Sequence, residues 1–209
     1  PRLLQIRSVV RASGAQASYG SGFLVTRSAA QALAITNYHV VSDCVLDPGQ
    51  YVLEWVSTGN QRGSVEILAI DIAHDLALIR IPSPPFELST AFALATEEPL
   101  RGEKVFSLGR PLDLGFNIVE GTHNGLVEGD FREQFLFSGA INPGMSGGPA
   151  LTRRREVYGI NVAVNLSGQL VSYVVPVRFA ITLLHSISAN APAPDGKALL
   201  RSITEQLKT

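Results

Sequence analysis

Three side chains that can together transfer an acyl group stand in distinctive settings in this 209-residue chain. Ser146 lies in Ile141-Asn142-Pro143-Gly144-Met145-Ser146-Gly147-Gly148-Pro149, one hydroxyl held in a run of glycines and prolines. Glycines on both sides admit positive φ and let another segment approach closely, while Pro143 and Pro149 exclude a helix on either side. A serine hydroxyl attacks a carbonyl only with a base beside it, and the base works best with an orienting acid. The candidates are His39, after the apolar Leu33-Ala34-Ile35, and Asp75, before Leu76-Ala77-Leu78-Ile79. Asp71 competes for the acid's role, but a carboxylate opening a fully apolar strand must be paired to be buried, which favours Asp75. His74, His123 and His185 lack such a setting and are expected to be structural or solvated. Ser21, between Gly20 and Gly22, reads as a turn serine. In the expected reaction Ser146 attacks, His39 takes and returns the proton, and Asp75 fixes the imidazole tautomer. The turn Gly144-Met145-Ser146 supplies the oxyanion hole through the N–H groups of Gly144 and Ser146, with that of Met145 taking part or turning away.

Chain order chooses between two architectures. Gly144-Met145-Ser146-Gly147-Gly148 also satisfies G-x-S-x-G, but that nucleophile elbow needs a helix after the serine and the order Ser, acid, His. Gly147-Gly148-Pro149 cannot open a stable helix, and the order here is His39, Asp75, Ser146, as in chymotrypsin-type enzymes. Five segments then carry a resemblance to trypsin-like serine proteases of the HtrA (Deg) type, over roughly residues 18–178. They are Gly20-Ser21-Gly22-Phe23-Leu24-Val25, Ile35-Thr36-Asn37-Tyr38-His39-Val40-Val41, His74-Asp75-Leu76-Ala77-Leu78-Ile79, the nucleophile segment, and Tyr158-Gly159-Ile160-Asn161-Val162-Ala163-Val164. Tyr38 before the histidine and Met145 before the serine depart from the family's usual residues.

The resemblance implies a serine endopeptidase acting on polypeptides. It places substrate along Asn161, Val162, Ala163 and Val164, and a specificity pocket around Ala140, Ile141, Ala163 and Val171. Trypsins that cut after Lys or Arg carry an aspartate six residues before the nucleophile, where this chain has Ala140. A buried basic side chain would be unpaired there, so small to medium aliphatic P1 residues are expected. Zymogens of this fold are activated through an aspartate where Met145 stands, so any activation would depend on loop order, with 112–117 and 128–134 the candidate segments. The rival reading is a restrained domain of the same fold that binds peptides or regulates.

The elements that must position these residues are short runs of Val, Ile, Leu and Phe between Gly, Pro and Asp. Strands are expected at 4–11, 22–26, 32–36, 52–56, 64–71, 76–81, 104–107, 117–120, 122–127, 134–137, 150–151, 157–164 and 171–175. His39 is expected to end the third of these. This pattern indicates an all-β chain, and the resemblance makes it two six-stranded antiparallel β-barrels of the chymotrypsin type. Residues 1–95 would form the barrel carrying His39 and Asp75, and 96–188 the barrel carrying Ser146. After Pro176 the spacing of Val177, Ala180, Ile181 and Leu184 predicts a helix. The Pro-containing 189–209 segment predicts a linker and a short helix with the stripe Leu199, Leu200, Ile203 and Leu207, packed on the barrel or docking another domain or subunit.

Composition excludes several classes. A net charge of −1 gives no reason to expect nucleic acid, and no apolar run reaches the ~20 residues of a membrane-spanning helix. The single cysteine, Cys44, permits no intrachain disulfide and reads as a small buried apolar residue. No His/Cys cluster has zinc spacing and no glycine pattern cradles phosphate, so no metal or cofactor is implied. Starting at Pro1 without an initiator methionine, the chain is expected to be a processed form or an excised segment, with too few residues after the barrels for the PDZ domain common in the resembled family.

Overall fold

The computed structural model describes residues 2–28, 30–57, 59, 61–85, 90–111, 115–127, 133–162, 171–188 and 191–208, the side chain of Arg27 apart. The N-terminal strands are β1 (Leu3–Val10), β2 (Gln16–Arg27), β3 (Gln31–Thr36), β4 (Tyr51–Val56), β5 (Arg62–Ser64), β6 (Glu66–Asp71) and β7 (Leu76–Pro82). They form one antiparallel sheet in the order β5-β4-β1-β2-β3-β7-β6. The remaining strands are β8 (Lys104–Gly109), β9 (Asn117–Leu126), β10 (Phe135–Ser138), β11 (Pro149–Leu151), β12 (Val157–Val162) and β13 (Ser172–Pro176). These six close into a barrel, β10-β13-β12-β11-β8-β9. The all-β, chymotrypsin-like architecture is as expected. In detail the first half is a seven-stranded half-barrel sheet, because the expected 64–71 strand breaks at Val65 into β5 and β6.

Burial explains the layering. Strands β2 and β3 are buried on both faces: Leu24, Ala32 and Ala34 point into one apolar cluster, and Phe23, Leu33 and Ile35 into another. The first cluster is covered by helix α1 (Tyr38–Leu46) and the C-terminal helix α3 (Gly196–Gln206). The second is the seam, where Leu108, Leu151, Val157 and Ile160 of the barrel meet the sheet together with helix α2 (Val177–His185). A third cluster fills the barrel interior around Phe135, Phe137, Tyr158 and Met145. Each fully buried Leu, Ile or Phe contributes roughly 1.5–3 kcal/mol. Backbone bonds also cross between the halves: Phe92 N–H donates to Leu24 O at 2.8 Å, and Val157 exchanges bonds with Ala93 and Ala95, each at 2.8 Å.

Two local expectations are corrected. His39 does not end a strand. Strand β3 stops at Thr36, and Asn37 starts a helix whose buried residues Val40, Val41, Cys44 and Val45 recur at helical spacing. The expected break at Gly121 is also absent, and β9 runs through it. A Cβ there would stand 2.4 Å from the Phe137 ring, so this glycine admits an aromatic ring and ends nothing. Helices α2 and α3 follow the sequence reading, and Asp195 caps α3 by accepting the Ala198 N–H at 2.7 Å.

Candidate active site

Asp75 organises the N-terminal part of the site. It has φ 55°, a left-handed conformation that aspartate tolerates better than most residues. Its carbonyl accepts from Tyr38 N–H at 3.1 Å and from Asn37 Nδ2 at 2.8 Å. Its carboxylate accepts the His39 backbone N–H on Oδ1 at 2.9 Å and the His39 ring on Oδ2 at 2.7 Å. The helix-opening N–H groups of α1 are thus satisfied from across the sheet, since the Asn37 side chain makes no cap bond. An ionised carboxylate can only accept, so this contact puts a proton on His39 Nδ1 and leaves Nε2 as the ring's acceptor. Beside the pair, burial and the Asp75 charge together hold the Tyr38 hydroxyl above its ordinary pKa of 10.0. The competing acid is occupied elsewhere. Asp71 accepts the His74 N–H at 3.1 Å and the His74 ring at 2.7 Å, and that ring stacks on Phe179 with centroids 3.6 Å apart.

The nucleophile segment is two consecutive turns pressed against the sheet. Met145 N–H donates to Asn142 O at 3.0 Å and Gly148 N–H to Met145 O at 3.0 Å, with φ +92° at Gly144 and +81° at Gly147. The sheet holds this segment through Ser21, whose N–H donates to Ser146 O at 2.7 Å. The Ser21 hydroxyl donates to Gly144 O at 2.7 Å and accepts the Arg110 N–H at 3.0 Å. Thr36 Oγ1 closes the set on Ser21 O at 2.7 Å. Ser21 is therefore no turn serine. It is fully buried mid-strand, and the glycines beside it serve close packing.

Steric limits bring the two parts together. A Cβ on Gly20 would stand 2.5 Å from a methyl of Val40, the residue after His39, and 3.0 Å from Ser146 O. One on Gly147 would stand 2.2 Å from Ser21 O and 3.0 Å from Asn37 N. The structure thus brings His39 and Asp75 into direct contact and packs the Ser146 peptide against the strand and helix start that carry them. The Met145 N–H is spent on Asn142 O. Among the described residues the Gly144 N–H has no acceptor. The Met145 side chain is fully buried in the barrel interior and anchors the loop there.

The expected substrate-contacting residues divide. Asn161 faces inward: Nδ2 donates to Leu108 O at 2.9 Å, and its backbone exchanges bonds with Gly147 and Gly148. It props the nucleophile loop from behind, which corrects its assignment to the substrate. Ile141 is buried in the barrel interior, so it too supports more than it lines. Ala140 and Val171 are exposed and Val162 is buried beside Tyr173 on β13. Ser172, which the sequence reading passed over, ties these strands by accepting Ile141 N–H at 3.1 Å and donating to Gly139 O at 2.7 Å. Ala163 and Val164 lie outside the described residues, as does most of the candidate loops 112–117 and 128–134.

Comparison with known proteins meets this geometry. The trypsin-like peptidase domain family matches residues 20–160. The chain belongs to that family. Among curated relatives it is 29% identical over 187 residues to the putative serine protease HhoA of Synechocystis, covering 85% of this chain and 45% of that protein. It is 29% identical over 153 residues to the chloroplastic Protease Do-like 1 of Arabidopsis thaliana, covering 69% of this chain and 33% of that one. The chain therefore spans less than half the length of these relatives. Its fold matches the active form of the Rv3671c protease from M. tuberculosis with a TM-score of 0.75 at 21% identity, over 93% of this chain and 84% of that one. These matches make the trypsin-type domain one of the HtrA-like kind.

Proposed function

We propose that the protein is a serine endopeptidase whose nucleophile is Ser146, with His39 as general base and Asp75 as orienting acid. The observation that carries this reading is the 2.7 Å bond between His39 Nδ1 and Asp75 Oδ2, made where the Ser146 loop packs on the same strand and helix start. Membership of the trypsin-like peptidase family, and relatives named as serine proteases, support it. His39 Nε2 takes the Ser146 proton as Oγ attacks the peptide carbonyl, Asp75 stabilises the imidazolium, and the proton passes to the leaving amine. The N–H groups of Gly144 and Ser146 receive the developing oxyanion, a contribution worth about 3 kcal/mol per donor.

Specificity follows from what the pocket lacks. With Ala140 six residues before the nucleophile, no carboxylate pairs a basic side chain, and small to medium aliphatic P1 residues are preferred. An extended substrate adds its backbone as a strand to the enzyme, backbone bonds giving affinity and the pocket giving choice. A peptide library cut mainly after Arg or Lys would overturn the P1 assignment. The test of the activity itself is reaction with a fluorophosphonate. The folded chain labels at Ser146, and both Ser146→Ala and His39→Ala do not. Absence of label on the unaltered chain would leave a peptide-binding or regulatory domain as the reading.

A further inference from the structure

The turn that delivers Asp75 is held from outside by the last residues of the chain. Strand β6 lies at the edge of the sheet, and its connection to β7 is the short turn through Ile72, Ala73 and His74 to Asp75. Edge strands leave a row of backbone groups unpaired. Here Gln206, on the final turn of α3, supplies a partner for one such group of β6 and for one in the turn that follows it. Its Oε1 accepts the Ile72 N–H at 2.8 Å and its Nε2 donates to Ile70 O at 2.8 Å. A bond from Nε2 to Ser202 Oγ at 3.1 Å, one helical turn back, fixes which way the carboxamide faces. The next link is Ile72 O, which accepts the Asp75 N–H at 3.3 Å. Phe179 of α2 also holds the turn, by stacking on His74. Helix α3 itself is seated by Leu199, buried in the cluster beneath α1, with Ile203 packed against it.

We propose that Gln206 is a positioning residue for the acid–base pair: docking of α3 sets the Ile72–Asp75 turn, and so aims the Asp75 carboxylate at His39. The proposal rests on the reading of Asp75 as the orienting acid. It gives the C-terminal tail a role in the site instead of leaving it as a spacer. The His39 backbone N–H reports on the turn directly. It sits in the first turn of α1, where no intrahelical acceptor exists, and its bond goes to Asp75 Oδ1.

The test compares Gln206→Met, which keeps the bulk but loses the bonds to Ile70 and Ile72, with Glu205→Ala on the exposed side of the same helix end. Hydrogen exchange at the His39 amide is expected to be ~10-fold faster in Gln206→Met and unchanged in Glu205→Ala. Fluorophosphonate labelling is expected to slow by about tenfold in Gln206→Met, since displacing a catalytic group by a fraction of an ångström is costly. In an Asp75→Asn background the same substitution is expected to have no further effect on labelling, whereas a general loss of stability would add. Unchanged His39 exchange and unchanged labelling in Gln206→Met would overturn the proposal and leave the endopeptidase reading intact. An unaltered chain that never labels, with His39 exchange still accelerated in Gln206→Met, would sink the endopeptidase reading and retain the mechanical link.

Discussion

Gly147 shows how little freedom a single position has when two sheets meet at a nucleophile. Its φ of +81° already excludes most side chains, and an added Cβ would meet Ser21 O at 2.2 Å and Thr36 Oγ1 at 2.4 Å. Gly147→Ala is therefore expected to cost on the order of 2–4 kcal/mol, read as a fall in urea midpoint, and to abolish labelling of Ser146. Ser21 is the matching hydroxyl. Ser21→Ala leaves Gly144 O and Arg110 N–H without their partner, at about 1–3 kcal/mol by the same measurement. On the proposed reading Asp75 orients the base, and Asp75→Asn is expected to lower kcat by on the order of 10⁴-fold while thermal unfolding moves little, because an asparagine oxygen still accepts the His39 N–H. The candidate serine, histidine and acid could be picked out of the chain because their types and order fit a known chemistry. Ser21, Asn161 and Gln206 were not, since each acts by meeting backbone groups far away in sequence, and no local pattern announces that.

At the level of elements, helix α1 is the feature the sequence read least well. Its Val40-Val41 and Cys44-Val45 pairs resemble strand composition, and Asn37 gives a weak start signal when its own side chain does not cap. The helix depends on a partner from the turn between β6 and β7, so its start is a tertiary property. Asp75→Ala should consequently fray α1 as well as disarm the histidine, with an expected loss of about 1–2 kcal/mol in thermal unfolding. The barrel strands were legible because alternation and turn residues suffice there, and the two C-terminal helices because their apolar spacing is regular. The division of 64–71 into β5 and β6 was hidden, because Val65 at the break is itself a good strand residue.

The whole molecule carries a buried imidazole that the chemistry does not use. His123 lies inside the closed barrel, edge-on to Phe135 and Tyr158, with Nδ1 lacking a hydrogen-bond partner among the described residues. Burial lowers its pKa below the ordinary 6.5. The unfolded chain thus takes up a proton that the native barrel refuses. Stability contributed by the neutral ring is present above pH 6.5, falls as pH drops through that value, and levels off below the lowered one. Urea unfolding at pH 8 and pH 5 is expected to show this loss, and His123→Phe to reduce it.

The joint between the halves is stitched by main-chain bonds, from Ser21 to Ser146, from Leu24 to Phe92, and from Val157 to Ala93 and Ala95. If the endopeptidase reading holds, a joint fastened in this way favours targets that bring a loose, extended stretch to the rim, and selection among them turns on the target's own unravelling. Reduced and carboxymethylated ribonuclease is expected to vanish quickly under digestion while its native counterpart persists.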